Sequence, residues 1–420
     1  MTALRSCAGK PRAPAAAPCQ HGGMSHSSAD ARAELASDWP TVLAAALAIG
    51  VGMMGVGFYS LGLFVTPLQA EFGWTRAQVS GAATFQQLGI FLSAPLIGRL
   101  ADRFGNRRIA IASYIATPVA FLALAQTGPS LTAWYALWLL VSLAGCGTTP
   151  AIWARVVSLR FDSGRGFALG LMLMGTGMAA MLAPALLGPV IAAQGWRTGL
   201  LVIAAVVAAV GIPVSLLTGR GETARRPLRL ASERGRTEIT GATVKIAAIG
   251  FLLGVIVAAL IVHLVPMLVD RGIAPARAAG VAAFIGAAVV VSRAVVGWLF
   301  DRFHAPRVAC LFLTSPVIAC AVLYFHGPAI PAALLLGLAA GAEVDMLAYF
   351  TSRYAALENY GATYGLILGL FSLGAAFGPP LFGWSVDVTG NADLALACSG
   401  AALVGVLALI ATLGPYRRPG

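Results

Sequence analysis

Charge is what this chain has least of. Only 10% of its 420 residues are Asp, Glu, Lys or Arg, against 59% hydrophobic, and the mean hydropathy is +0.84. A soluble protein of this length needs far more charge on its surface, so that class is excluded. The charges present leave a net +12, but no aromatic-basic module accompanies the excess, and nucleic acid is not an expected partner. Six cysteines (Cys7, Cys19, Cys146, Cys310, Cys320, Cys398) are scattered without metal-ligand spacing, and Cys19, His21 and His26 fall in a polar tail, so neither a metal nor a cofactor is expected. No nucleophile-base constellation is visible, which argues against an enzyme. The first 38 residues, rich in Ala, Pro, Ser and Arg, lack the apolar core of a signal peptide. They read as a disordered cytoplasmic tail, in which Met24 is an alternative start to Met1.

Apolar runs, by contrast, recur throughout at about 20 residues, the length that crosses a bilayer core. Each span must satisfy its own backbone hydrogen bonds, so an all-α membrane protein is expected. The patterning predicts twelve spans, at about 41–65, 77–97, 109–126, 131–157, 167–192, 198–217, 243–268, 277–299, 308–325, 329–352, 363–386 and 394–413. Residues 219–241 form the longest polar interior segment and read as a basic cytoplasmic linker. The resulting domains are a tail (1–38), a six-helix bundle (39–218), the linker (219–241), a second six-helix bundle (242–414) and a cytoplasmic C-terminus (415–420). The glycine total of 49 suits close helix packing in lipid. Gly50, Gly52, Gly55 and Gly57 lie inside a span with no strand before them, which excludes a phosphate loop.

Counting Lys and Arg sets the orientation. With the N-terminus inside, 23 of the 28 fall on the inner side, four (Arg76, Arg197, Arg271, Arg277) on the outer side, and one, Arg293, inside a span. That bias puts both termini in the cytoplasm, and the bacterial inner membrane is the expected location.

The chain repeats itself. GRLADRFGNRR at Gly98 to Arg108 is echoed by GWLFDRFHAPR at Gly297 to Arg307, an offset of 199; Gly170, Pro184 and Gly188 are echoed by Gly365, Pro379 and Gly383, an offset of 195. Two similar halves in one orientation are the parallel-repeat plan of transporters, with cargo held between them.

These residues resemble the major facilitator superfamily. GRLADRFGNRR matches the signature that follows its second helix; the second copy lacks the glycine, His304 standing where Gly105 does. YSLGLFVTPLQAEFGWTRAQVSG, RFDSGRGFALGL, GTG with GWR, SRAVVGWLFDRF and GPPLFGWSVDVTG are similar to the monocarboxylate porter and oxalate:formate antiporter branch. The resemblance runs from about Trp39 to the end. It implies twelve transmembrane helices in two pseudo-symmetric six-helix bundles, alternating access, and a small organic anion as cargo, often with a proton. Three departures bear on the cargo. The lysine that mammalian members carry late in helix 1 is absent from Tyr59 to Phe64. The aspartate that they place four residues before the helix 8 arginine is Val289, and span eleven has no lysine. Without a second cation, a monoanion is favoured over a dicarboxylate. The antiporter-type Gly-Pro pair of helix 5 is Ala183-Pro184 here, which weakens an antiport reading.

Arg293 is the leading candidate for the anion. An arginine inside a span costs about 2.5–3.5 kcal/mol on insertion scales, so it must face a wet cavity or a partner. Its planar fork suits a carboxylate; the alternative is a structural pair with Glu343 or Asp345. Those two carboxyls lie mid-span in span ten, two residues apart on nearly opposite sides, and either could take up and release a proton in a transport cycle. Tyr59, Gln86 and Tyr349 are polar or aromatic groups within spans that would line a cavity; His263, in span seven, titrates near neutrality in its free form. Gly98, Asp102 and Arg103, with Gly297, Asp301 and Arg302, head the two charged loops and are expected to latch an inner gate, not to select cargo. The partners implied are a small organic anion, protons and the lipid bilayer, with the protein itself a monomer. Two other readings are open: efflux of amphipathic drugs or metabolites, and a transporter-like sensor or receptor.

Overall fold

The computed structural model describes residues 28–161, 165–218, 239–355 and 360–414. Helix accounts for nearly all of them. The α-helices are α1 (Ser28–Val51), α2 (Val65–Phe72), α3 (Arg76–Ser80), α4 (Ala82–Phe104), α5 (Asn106–Ala125), α6 (Leu131–Ala144), α7 (Pro150–Ser158), α8 (Arg165–Gln194), α9 (Trp196–Val206), α10 (Ile212–Leu217), α11 (Gly241–Asp270), α12 (Pro275–Arg302), α13 (Ala305–Tyr324), α14 (Ala329–Tyr354), α15 (Tyr360–Thr389) and α16 (Asp393–Ala411). Among the described residues, eleven helical segments are long and apolar enough to cross a membrane. α4, 23 residues with Arg99 and Arg103 near its end, fills the place of the twelfth. α1 to α10 build one bundle and α11 to α16 the other. They meet along three seams: α8 against α12, α3 with α4 against α15, and α11 against the 3-10 turn Leu61–Phe64, where Gly62 lies on the Val262 carbonyl.

Three expectations change. The tail expected over 1–38 is helical from Ser28, and Asp38 receives the Arg160 guanidinium at 3.1 Å; residues 1–27 and 415–420 lie outside the described residues. The linker's residues 219–238 lie outside them too, and its end is the start of α11, where Thr240 and Thr243 cap each other's backbone. The first span is not one helix. It passes through a π-helical turn, Met53–Gly57, and a 3-10 turn, Leu61–Phe64, before α2, and span four breaks likewise at Gly145–Thr148. The two breaks touch: the Met53 N–H donates to Thr148 Oγ1 at 3.1 Å and the Met53 carbonyl accepts from Gln86 Nε2 at 3.2 Å. Backbone groups released by the break are thereby satisfied inside the protein, the condition for non-helical backbone at membrane depth.

The two charged loops differ for a local reason. Gly105 closes the first at φ +85°, a conformation that L side chains rarely adopt. His304 occupies that place in the second loop at φ −66°, and the chain turns instead through an extended Phe303. Arg103 and Arg302 are exposed and lie over the rings of Phe104 and Trp298, at 5.2 and 4.5 Å. The side chains of Asp102 and Asp301, and Gly98 and Gly297 with them, lie outside those described.

At the far end, opposite the start of α1 and the end of α16, two of the motif strings meet. Glu71 accepts from the Trp196 indole at 2.6 Å and from Arg197 at 2.7 Å, and Arg197 also reaches the Thr127 carbonyl. The Glu71–Arg197 pair thus ties the end of α2 to the start of α9 and, through Arg197, to Thr127. The Trp196 ring is buried, so Glu71→Leu should leave its N–H without an acceptor, at a cost of about 1–3 kcal/mol. Thermal unfolding in detergent should show that loss, with transport intact in the surviving folded protein.

Candidate functional site

The site begins with how α14 meets α12. Gly337 and Gly341 are one turn apart on α14 and have no side chain to hold a neighbour away. Gly337 lies on the Ile285 carbonyl, and a Cβ at Gly341 would stand 2.8 Å from the Val289 carbonyl. Ser292 secures the seam by donating to the Leu338 carbonyl at 2.7 Å. The two helices run parallel and both contacts share one register, so the next step of four residues on each must bring Asp345 to Arg293. It does: Arg293 Nη1 lies 3.4 Å from Asp345 Oδ1.

That pairing leaves the guanidinium part-used. The Arg293 side chain is 10% exposed, and its Nε is buried without a hydrogen-bond partner. Asp345 is 31% exposed, so it edges an accessible space. Glu343, on another face of α14, is buried with Oε2 unpartnered. In the other bundle Tyr59, just past the π-helical turn, lies within electrostatic range of Arg293 and Glu343. It also lines a narrow apolar cleft between the bundles with Leu63, Ala180, Pro184, Ile261 and Ile285. Arg293 and Asp345 are therefore paired, with Glu343 and Tyr59 near enough to feel the charge of the guanidinium.

Three other candidates stand elsewhere. Gln86 is fully buried and clamps the broken first span through the Met53 carbonyl, so it does not line the cleft. Tyr349 donates to the Phe300 carbonyl at 3.1 Å, stacks on the Phe300 ring and receives Arg353; it caps the end of α12, which has run out of backbone donors. His263 is buried near the far end, its ring stacked on Phe382 and its Nε2 2.8 Å from the Pro379 carbonyl. Sequence reasoning missed the far-end contacts between the bundles. Asp387 accepts from the backbone N–H groups of Arg76 and Ala77 at 3.0 and 2.9 Å, and the Arg76 side chain pairs with Asp270. The available signal was Thr75, whose capping box with Gln78 starts α3 and so presents those N–H groups to a carboxylate.

Two helical bundles of this kind, one with an arginine–carboxylate pair inside a span, suit a membrane transporter, and the family model for the Major Facilitator Superfamily matches residues 47–379. The chain belongs to that superfamily and is a multi-pass membrane transporter, not an enzyme. It is 28% identical over 396 residues to the human protein named monocarboxylate transporter 11, covering 87% of this chain and 81% of that one. It is 27% identical over 400 residues to monocarboxylate transporter 13 of Bos taurus, covering 89% of each. Among solved structures, the nucleoside transporter NupG superposes with a TM-score of 0.71 at 11% identity, over 90% of this chain and 99% of that one. A bacterial homologue of the human lysosomal transporter Spinster superposes with a TM-score of 0.66 at 16% identity, over 90% and 94%. At such identities the superpositions speak for the fold alone.

Proposed function

We propose that this protein is a secondary active transporter of a small monocarboxylate-like anion, coupled to protons and working by alternating access as a monomer. Its place in this reading is the bacterial inner membrane, with both termini in the cytoplasm, which makes the far end the outer side; the Lys and Arg bias supports that orientation. The relatives named monocarboxylate transporters support the cargo class. The observation that carries the reading is Arg293: a buried cation held by one carboxylate contact, with an unpartnered Nε.

A cargo carboxylate takes the edge of the guanidinium that Asp345 leaves open, with the Tyr59 side of the other bundle toward the rest of the molecule. Asp345 supplies from α14 the carboxyl that the family resemblance expects on α12 at Val289. Protonation of Asp345 frees Nη1 for the anion, and loss of that proton lets Asp345 reclaim Arg293 and expel the anion. Glu343 is the second proton acceptor of the pair. Reconstituted protein should take up labelled monocarboxylates faster with a pH gradient directed inward. In Asp345→Asn/Glu343→Gln the gradient should give no acceleration, while exchange without a gradient persists. Gradient-driven uptake that survives the double change would end the coupling assignment. Transport of amphipathic cations without any of the anions would favour efflux instead.

A further inference from the structure

Proline at two successive positions of α15 leaves backbone carbonyls without their helical donors. Pro380 has no N–H, so the Ala376 carbonyl one turn earlier has no partner within α15. Its partner comes from the other bundle: Thr84 Oγ1 on α4 donates to it at 2.7 Å. One turn nearer the far end, Ser80 Oγ donates to the Pro379 carbonyl at 3.2 Å, an acceptor it shares with His263 Nε2. Beyond them Asp387 covers the start of α3 at Arg76 and Ala77. Ala376 to Asp387 is eleven residues, so this column of polar contacts runs about 16 Å down the α4–α15 seam.

Among the described residues the mirror seam shows none of these contacts. At the repeat offsets, the counterparts of Ser80 and Thr84 on α12 are Ala279 and Ala283, and those of Pro380 and Asp387 on α8 are Ala185 and Ala192. The hydroxyls and the carboxylate are missing, although α8 keeps Pro184 at the repeat position of Pro379. In their place are close apolar contacts, Gly188 on the Ala279 methyl and Gly177 on Val290. The hydroxyl donors that meet carbonyls across the α4–α15 seam therefore have no counterparts at the repeat positions of α12.

We infer that Thr84, Ser80 and Asp387, with the Ala376 carbonyl freed by Pro380, form the latch that holds the outer gate shut, and that the gate opens along the α4–α15 seam by breaking these bonds. Such interhelical bonds shift a two-state equilibrium by about threefold each. Spin labels at exposed Ala70 and Val388, one on each bundle, report the opening on full-length protein in nanodiscs. Thr84→Val should raise the population of the long distance about threefold and Thr84→Val/Ser80→Ala about tenfold. Thr84→Ser, which keeps the hydroxyl, should match the unaltered latch, a rescue that a packing role would not give. Asp387→Asn tests the exposed end without touching the buried turn and should also favour the long distance. Distance distributions unchanged in the double variant and in Asp387→Asn would overturn the latch.

Discussion

Arg293→Gln should abolish accumulation of the anion, lowering uptake by roughly a hundredfold or more. That is the scale expected when one side of a buried charged contact is removed, about 2–5 kcal/mol. Arg293→Lys should keep a fraction of the activity, because the charge remains but the planar fork that engages two oxygens does not. Two effects are mixed in the single variant, since Asp345 also loses its partner. Arg293→Gln/Asp345→Asn separates them: the pair is neutralised together, so thermal stability should return toward the starting value while uptake stays lost. Uptake restored in that double variant would mean that the arginine only neutralises Asp345. Ligand-induced shifts in melting temperature across a series of monocarboxylates give the same answer without transport, and should vanish in every variant lacking the guanidinium.

The spans were readable from sequence because the bilayer fixes their length and composition. The expected span at 243–268, for example, lies inside α11, which runs two residues further at each end. The start of α3 at Thr75 was readable for a different reason, since a capping box is a local event within four residues. What was not readable depends on neighbours far away in the chain. The break at Met53 is held by Thr148 and Gln86, and nothing near Met53 announces either. Gln86 and Tyr349 looked like cavity-lining groups, but each is occupied by a carbonyl that only the fold brings within reach. The pairing of Arg293 was open between Glu343 and Asp345, although a clue was present. Gly337 and Gly341 fix which face of α14 approaches α12, and Asp345 is the next residue on that face.

The same register gives a second large effect, from a residue with no chemistry of its own. Gly286 faces α8, where a methyl group would overlap the Met181 backbone nitrogen and the Ala180 carbonyl carbon. Both obstacles are backbone, so no side chain can swing aside and α12 itself must retreat. Overpacking of this kind costs about 1–3 kcal/mol. The displacement also propagates: Arg293 is seven residues along the same rigid helix, two turns away and on the same face. Gly286→Ala should therefore lower thermal stability and reduce uptake by more than tenfold at equal amounts of folded protein. Gly280→Ala is the control, because the same methyl on the same helix meets nothing within 4 Å; it removes a glycine from a helix interior and should leave stability equal or higher by up to about 1 kcal/mol. If both alanines behave alike, the α8–α12 seam is not the close-packed contact that holds Arg293 in place. If only Gly286→Ala fails, the position of the cation is set by backbone contact between the two bundles, and any change of seam geometry during the transport cycle must be felt at Arg293.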